Sequence, residues 1–365
     1  MKMPSVKRRG PSWQATYRGP DGRERTKSFP LRAEADRWVT DEVANMNRGV
    51  WIDPRAGKVT LGEYAAQWRT IQVHRPTTAH EVERYLRLHI LPVLGHRPIA
   101  DIRKSELQAW VKGRSAMLAP TTVEVVYRYL AAILRSAVQD RLMASSPAVG
   151  IQLPKRAPRR IEPLPIPTVE ALVASAPDRY RALVILAAGT GMRQGECFGL
   201  TVDRIDFLRR QVTVNRQLVL VPKTGPEFGP PKTAASYRTI PLPAVVVEAL
   251  ARHLRDYPPG HDGLAFTNAA SKPIRRTGFS YHWRKATETA GAPAGTGFHA
   301  LRHFYASLLI RAGESVKVVQ ARLGHASAAE TLNTYAHLWP DSEDRTRAAV
   351  DDMFGAAQSV KAVAH

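Results

Sequence analysis

The chain runs to 365 residues with 53 Lys+Arg against 32 Asp+Glu, a formal net charge of +21, and 44% hydrophobic residues. That length exceeds what one core usually organises, so two or three domains are expected, and the charge calls for a polyanionic partner, most simply nucleic acid. With no run of eighteen apolar residues, a polar N-terminus and the single Cys197, the sequence argues against membrane insertion, export, disulfides and cysteine redox chemistry, leaving the cytoplasm as the expected location.

Residues 1–32 hold 9 Lys+Arg and 2 Asp+Glu. SWQATYRGPDGRERTKSF reads as two alternating strands about a turn at Pro20-Asp21-Gly22, and a helix is expected from Arg32 to Met46, ended by Gly49. This small module (1–56) would present Arg18, Arg23, Arg25 and Lys27 to a phosphate backbone or groove.

Residues 60–150 read as wholly helical. Thr60 can cap a helix to Gln72, a second spans Thr78 to Ile90 with Pro92 and Gly95 breaking it, Ser105 opens a third, and Thr121 with Glu124 has a capping-box spacing for a fourth. On the fourth, Val123, Val126, Leu130, Ile133, Leu134, Val138 and Leu142 form an apolar stripe, while Arg128 and Arg135 lie on another face. Residues 57–160 carry 17 Lys+Arg against 7 Asp+Glu, which favours DNA phosphates as the partner of that outer face. The proline-rich, basic stretch 151–167 reads as a linker.

A larger domain follows over 168–340. A helix is expected from Val169 to Ala176, and a second, apolar helix ends at Gly189-Thr190-Gly191 and delivers Arg193 to the start of the next. QVTVNRQLVLV alternates as one strand and SYRTIPL as its return, with Lys232 on the tip side of that hairpin. Helices are expected from Pro243 to Arg255 and from Thr277 to Ala290. In Gly297–His337, Gly313 and Gly324 divide the chain into three short helices that carry His299, Arg302, His325 and Tyr335. The fold class is therefore mainly α with small β-sheets (α+β), multidomain, followed by a tail at 341–365 in which Ala348, Val350 and Phe354 give an amphipathic hint.

Gathered around one phosphate, these residue types are complementary. Two guanidiniums can grip non-bridging oxygens and stabilise the charge of a pentacoordinate phosphoryl transition state. Histidines can move protons near neutral pH, a tyrosine hydroxyl can act as covalent nucleophile, and a lysine can protonate a departing oxygen. Such chemistry requires no metal or cofactor.

The motifs Gly191-Met192-Arg193-Gln194-Gly195-Glu196, Lys232-Thr233 followed by Arg238-Thr239-Ile240-Pro241-Leu242, His299-Ala300-Leu301-Arg302-His303, Leu323-Gly324-His325 and Thr334-Tyr335-Ala336-His337 resemble the tyrosine recombinases, specifically the integrases of phages and integrative elements. The likeness covers about residues 165–340. It implies a catalytic set of Arg193, Lys232, His299, Arg302, His325 and the nucleophile Tyr335. It implies as well a 3′-phosphotyrosyl intermediate, double-stranded DNA as substrate, a homotetramer on two duplexes, and host DNA-bending and directionality factors. By the same resemblance 60–150 would bind core sites, 1–56 arm-type sites, and the tail would be exchanged between subunits.

Other readings compete. Lys223 lies in a VPKT context like that of Lys232, and the Arg238-Thr239-Ile240-Pro241-Leu242 run that follows favours Lys232. His299 and His303 have the spacing of a zinc pair, but neither an HExxH glutamate nor a third ligand is evident. Glu196 and His337 are expected to support the site rather than react. A type IB topoisomerase would use the same covalent chemistry without a partner strand, and a non-catalytic architectural or regulatory DNA-binding protein on the same fold would have no use for the tyrosine.

Overall fold

The computed structural model describes residues 3–53, 55–156, 160–221, 224–339, 347–348 and 350–353. It forms two compact units, Met1–Ala157 and Pro158–His365, described separately below.

The first unit opens with an antiparallel sheet in the order β1 (Ser5–Arg9), β2 (Ser12–Arg18), β3 (Glu24–Phe29), covered on one face by α1 (Arg32–Asn47). β1 goes beyond the two strands expected, because SVKRR shows no apolar alternation to announce it. Ala15 of β2 packs with Ala35 and Val39 of α1, the buried Tyr17 ring meets that of Trp38 edge-on, and the Tyr17 hydroxyl donates to Glu42 (3.2 Å) while accepting from Trp51 Nε1 (3.1 Å). The register sets Arg25 opposite Tyr17. There its guanidinium pairs with Asp21 and Asp53, each at 2.8 Å, and lies 4.6 Å from the centre of the Trp51 ring. Arg25 is thus a structural ion-pair centre rather than a side chain offered to DNA. The Arg25 hydrogen bond first, then the Arg23 N–H and the charges of both arginines, hold the Asp21 carboxyl well below the usual carboxylate range. Alternation leaves Lys7, Arg9, Gln14, Thr16, Arg18, Thr26 and Ser28 on the opposite face of the sheet, away from Ala15 and Tyr17.

A helical core follows, built from α2 (Leu61–Ile71), α3 (Pro76–Tyr85), α4 (Leu91–Leu94), α5 (Lys104–Ser115) and α6 (Pro120–Gln139). Thr60 and Glu63 form the capping box of α2, with Glu63 N–H donating to Thr60 Oγ1 and Thr60 N–H to Glu63. The box expected at Thr121 and Glu124 does not form: the N-cap of α6 is Ala119, two residues earlier, with Pro120 as the first helical residue, and Glu124 pairs with Arg156 instead. At α5 the cap lies at Arg103, whose N–H donates to Glu106 (3.0 Å), and not at Ser105. Pro92 does not end the second helix as expected. A π-turn at Leu86–Ile90, with Leu91 N–H donating to Leu86 O, resets the register so that the proline falls in the first turn of α4, where its missing N–H costs nothing. Val123, Val126, Leu130, Ile133 and Leu134 are buried along α6, while Arg128 and Arg135 are exposed. The indoles of Trp68 and Trp110 reach Ser136 Oγ (3.1 Å) and His89 O (3.0 Å), so the polar edge of each ring is satisfied inside the core.

The second unit is organised on α8 (Asp178–Thr190), buried nearly all round and flanked by α7 (Ile166–Ser175), before the one-and-a-half-turn α9 (Gln194–Phe198). QVTVNRQLVLV is two strands in two sheets. β4 (Ile205–Asp206), β5 (Gln211–Val214), the hairpin β6 (Gln217–Val221) and β7 (Gly225–Gly229), and β8 (Arg238–Pro241) give a three-stranded β4-β5-β8 sheet and a separate β6-β7 pair. The alternation runs through the break at Asn215-Arg216, which is why it conceals the change of partner. Lys232 consequently follows β7 in a bend and is not at a hairpin tip. The remaining helices are α10 (Ala244–Asp256), α11 (Arg276–Thr289), α12 (Ala300–Arg311), α13 (Val316–Leu323) and α14 (Ala328–Tyr335). α12, α13 and α14 share a small core of Tyr305, Ala306, Ile310, Val319, Leu323 and Tyr335. Of the tail, residues 347–348 and 350–353 are helical and Phe354 is outside the described residues, as is Lys223. No helix among the described residues is long and apolar enough to cross a membrane.

Leu130 is fully buried in the helical core, so Leu130→Ala is expected to cost about 2–5 kcal/mol of stability. Denaturant unfolding followed by tryptophan fluorescence measures it, since Trp68 and Trp110 lie in the same core.

Candidate active site

The site begins where α8 stops. Gly191 takes φ +63°, and a Cβ there would come within 2.5 Å of Tyr305 Cδ1, so the left-handed turn and the tight packing both require glycine. The turn places Arg193 at the cap of α9 and Glu196 at its third position, where Glu196 accepts from the Arg193 N–H (2.9 Å).

Glu196, 2% exposed, is the anion around which the site is tied. It accepts from Arg193 Nη1 (2.9 Å) and from Arg238 Nη2 (2.8 Å) and Nη1 (3.3 Å). Burial alone would raise its pKa. The Arg238 hydrogen bond and charge, with the Arg193 N–H and charge, outweigh that and hold the carboxyl below its ordinary range. The two arginines then reach outward. Arg193 donates to Ser236 Oγ (3.0 Å) and Gly324 O (3.1 Å), and Arg238 to Arg322 O (2.8 Å) and Ser236 O (2.9 Å). α9, the turn before β8 and the end of α13 are thereby bound together. Gly324, at φ +66°, must be glycine for the same pair of reasons: a Cβ would approach Ala235 O at 2.9 Å.

Arg302, early in α12, is 2% exposed and donates from Nη1 to Gly191 O (2.8 Å). Among the described residues it makes no ion pair and no other side-chain hydrogen bond. Desolvation, then the charges of Arg193 and Arg238, lower its pKa to about 9, so it remains cationic at neutral pH. A buried guanidinium with most of its donors uncommitted is poised for an anion.

His325 follows Gly324 directly and is buried. Its Nδ1 pairs with Thr331 Oγ1 (2.8 Å), Nε2 is 3.9 Å from Glu330, and desolvation followed by the Arg302 charge lowers its pKa to about 4. Tyr335 ends α14, 1% exposed, its ring nearly parallel to that of His325 with centroids 6.3 Å apart. Its hydroxyl lies 2.7 Å from His303 Nδ1, and burial pushes its pKa up to about 12. His303, on α12 beside Arg302, has its own pKa lowered to about 4 by desolvation and the Arg302 charge.

Arg193, Arg302, His325 and Tyr335 are therefore gathered as the sequence suggested. His299 is exposed at the surface yet joins the group through its ring, which meets that of His303 edge-on at 4.8 Å; desolvation of its inner side, then His303 and the arginines, lower its pKa to about 4. Lys232 is exposed and makes no hydrogen bond or ion pair among the described residues. Only its neighbour Thr233 reaches inward, pairing with Ser236 Oγ (3.0 Å). Three residues of the cluster go beyond the sequence expectation: Arg238 and Ser236, which the sequence presents as strand context, and His303, which it presents as a zinc-spaced partner of His299. The position of His303 next to Arg302 was the available signal. His337 bonds Ile161 O (2.9 Å) and so anchors the end of the helical run, in keeping with a supporting role.

Residues 166–341 match the phage integrase family, and residues 60–114 match the N-terminal SAM-like domain of phage integrases. A putative prophage phiRv2 integrase of Mycobacterium tuberculosis is 31% identical over 338 residues, covering 89% of this chain and 88% of that one. A XerC-like tyrosine recombinase of Caldanaerobacter subterraneus is 27% identical over 366 residues, covering 88% and 90%. The fold resembles that of the Tn1549 transposon integrase, solved in complex with a circular intermediate DNA, with a TM-score of 0.69, 24% identity, and coverage of 81% of this chain and 99% of that one. The chain belongs to the phage integrase family of tyrosine recombinases, enzymes that cut and rejoin DNA.

Removing the buried carboxylate in Glu196→Ala leaves Arg238 and Arg193 unpaired and is expected to cost about 3–5 kcal/mol, read from the denaturant midpoint. Two pH effects follow. The folded pKa of Glu196 is depressed, so its contribution is present above the ordinary carboxylate range and is lost as pH falls through the folded value. The three histidines stay neutral to about pH 4 when folded but bind protons near 6.5 when unfolded, so stability is expected to decline as pH falls from 6.5 to 4. A stability flat across that window would contradict the histidine assignments.

Proposed function

We propose that this site-specific recombinase cuts DNA through Tyr335, forming a 3′-phosphotyrosyl link, and that it integrates or excises a phage or mobile element, or does both. The observation that carries the reading is the buried tyrosine hydroxyl, set in one cluster with two cationic guanidiniums, of which Arg302 has no counter-ion among the described residues.

Arg193 and Arg302 clamp the scissile phosphate and offset the charge that develops on its oxygens. Tyr335 attacks, the P–O5′ bond breaks, and Lys232 gives a proton to the departing 5′ oxygen; its free, exposed position suits a group that meets the substrate only on binding. His325 and His299, both neutral near pH 7, orient the phosphate and assist proton transfer. The ester conserves the bond energy, so the 5′ hydroxyl of a partner duplex can attack it without ATP. Two duplexes have four strands to cut and rejoin, and one nucleophile per chain then calls for a homotetramer.

Residues 60–150 hold core sites, with the exposed Arg128 and Arg135 available to phosphates, and 1–56 is an arm-type module whose outer sheet face carries Lys7, Arg9, Gln14 and Arg18. The tail at 341–365 is exchanged between subunits, and host DNA-bending and directionality factors complete the assembly in the bacterial cytoplasm.

Incubation with a nicked duplex bearing the crossover site is expected to trap a covalent protein–DNA adduct that is lost in Tyr335→Phe; no adduct on a verified site would sink the reading. Relaxation of plasmids lacking any site would mark a topoisomerase instead. Site binding is expected to weaken steeply with added salt, and a flat response would contradict the phosphate contacts. Lys232→Ala is expected to slow cleavage while Lys223→Ala spares it, and a 5′-bridging phosphorothiolate, whose leaving group needs no proton, should restore the former. The reverse pattern would move the assignment to Lys223.

A further inference from the structure

The hydroxyl of Tyr335 is sealed from solvent, and its one hydrogen bond among the described residues is to His303 Nδ1 at 2.7 Å. A buried hydroxyl proton needs an acceptor, and no other is in reach among the described residues, so Oη–H donates and Nδ1 accepts, with the ring proton on Nε2. The other basic groups are placed differently. His325 meets the tyrosine ring to ring, with Nδ1 engaged by Thr331 Oγ1 at 2.8 Å. His299 meets His303 ring to ring and makes no hydrogen bond or ring contact with Tyr335 among the described residues. Arg302 offers only donors. Desolvation and the adjacent Arg302 keep His303 neutral at physiological pH, so the Nδ1 lone pair that accepts this hydrogen bond can take up the proton.

We infer that His303 is a further catalytic residue, the acceptor of the Tyr335 hydroxyl proton as the tyrosine attacks the phosphate. The inference rests on Tyr335 being the nucleophile. As the Oη–P bond forms, the Oη proton passes to His303 Nδ1, the P–O5′ bond breaks, and the 5′ oxygen takes a proton from Lys232. When an incoming 5′ hydroxyl later displaces the tyrosine, its oxygen bonds the phosphorus and its proton passes to Lys232, left neutral by the first step, while the P–Oη bond breaks and the phenolate recovers its proton from His303. His299 then serves as the outer neighbour of an imidazolium that lasts only for the covalent stage.

The test uses the full-length protein on the nicked crossover duplex, comparing wild type, Tyr335→Phe, His303→Phe and His303→Asn. Asparagine keeps a hydrogen-bonding group near the Nδ1 position but cannot take up a proton. Both His303 variants are expected to form adduct roughly 10²-fold more slowly, with site binding and thermal midpoint of the asparagine variant unchanged. The phosphorothiolate substrate should not rescue them, because the fault lies with the nucleophile. His303→Asn cutting at the wild-type rate, losing rate only in step with binding, or being rescued by the phosphorothiolate would each overturn the assignment. A wild-type protein that forms no adduct would instead overturn the recombinase reading itself.

Discussion

One buried carboxylate holds the second unit's polar centre together. Glu196 has almost no contact with water and accepts from two guanidiniums that arrive from different elements, Arg193 from the cap of α9 and Arg238 from the start of β8. An isolated carboxylate in that place would be neutral, and an isolated guanidinium would be driven toward solvent. Together they are stable, and their remaining donors bind the backbone at Ser236, Arg322 and Gly324. The position of α13, and therefore of His325 just beyond it, depends on this pairing.

The knot also leaves a deliberate imbalance. Glu196 answers Arg238 and Arg193, but Arg302 is packed beside them with the Gly191 carbonyl as its one hydrogen-bond partner among the described residues. The loss of water around it and then the charges of Arg193 and Arg238 draw its pKa down, which is the mark of a site short of one anion. The same field keeps the neighbouring histidines neutral. In the proposed reaction a phosphodiester entering this site would relieve the repulsion and meet imidazoles in the form that accepts protons.

Much of this was legible in the chain. The three helices between Gly297 and His337, the left-handed glycines at their ends, the turn that presents Arg193 and the apolar stripe of α6 all follow from local rules of periodicity and capping. Local rules failed where partners were chosen over distance. Thr121 and Glu124 have capping-box spacing, yet helix start and ion pairing were settled by Pro120 and Arg156. The π-turn before Pro92 is likewise invisible to a pattern that takes proline as a stop. Arg25 reads as a surface cation until the fold brings Asp53 and Trp51 to it.

By itself the sequence determined the inventory: which residues can grip a phosphate, which can attack it, their order, and a charge that demands a polyanion. These depend on residue chemistry and short-range spacing, which a linear chain carries openly. Only the tertiary structure decided which of them meet. It exposed Lys232 in a bend, split one alternating run between two sheets, and set His303 rather than His299 or His325 against the tyrosine hydroxyl. The reason is geometric. Hydrogen bonding at 2.7 Å between residues 32 apart depends on how α12 and α14 pack around Leu323 and Val319, and no periodicity within either helix specifies it.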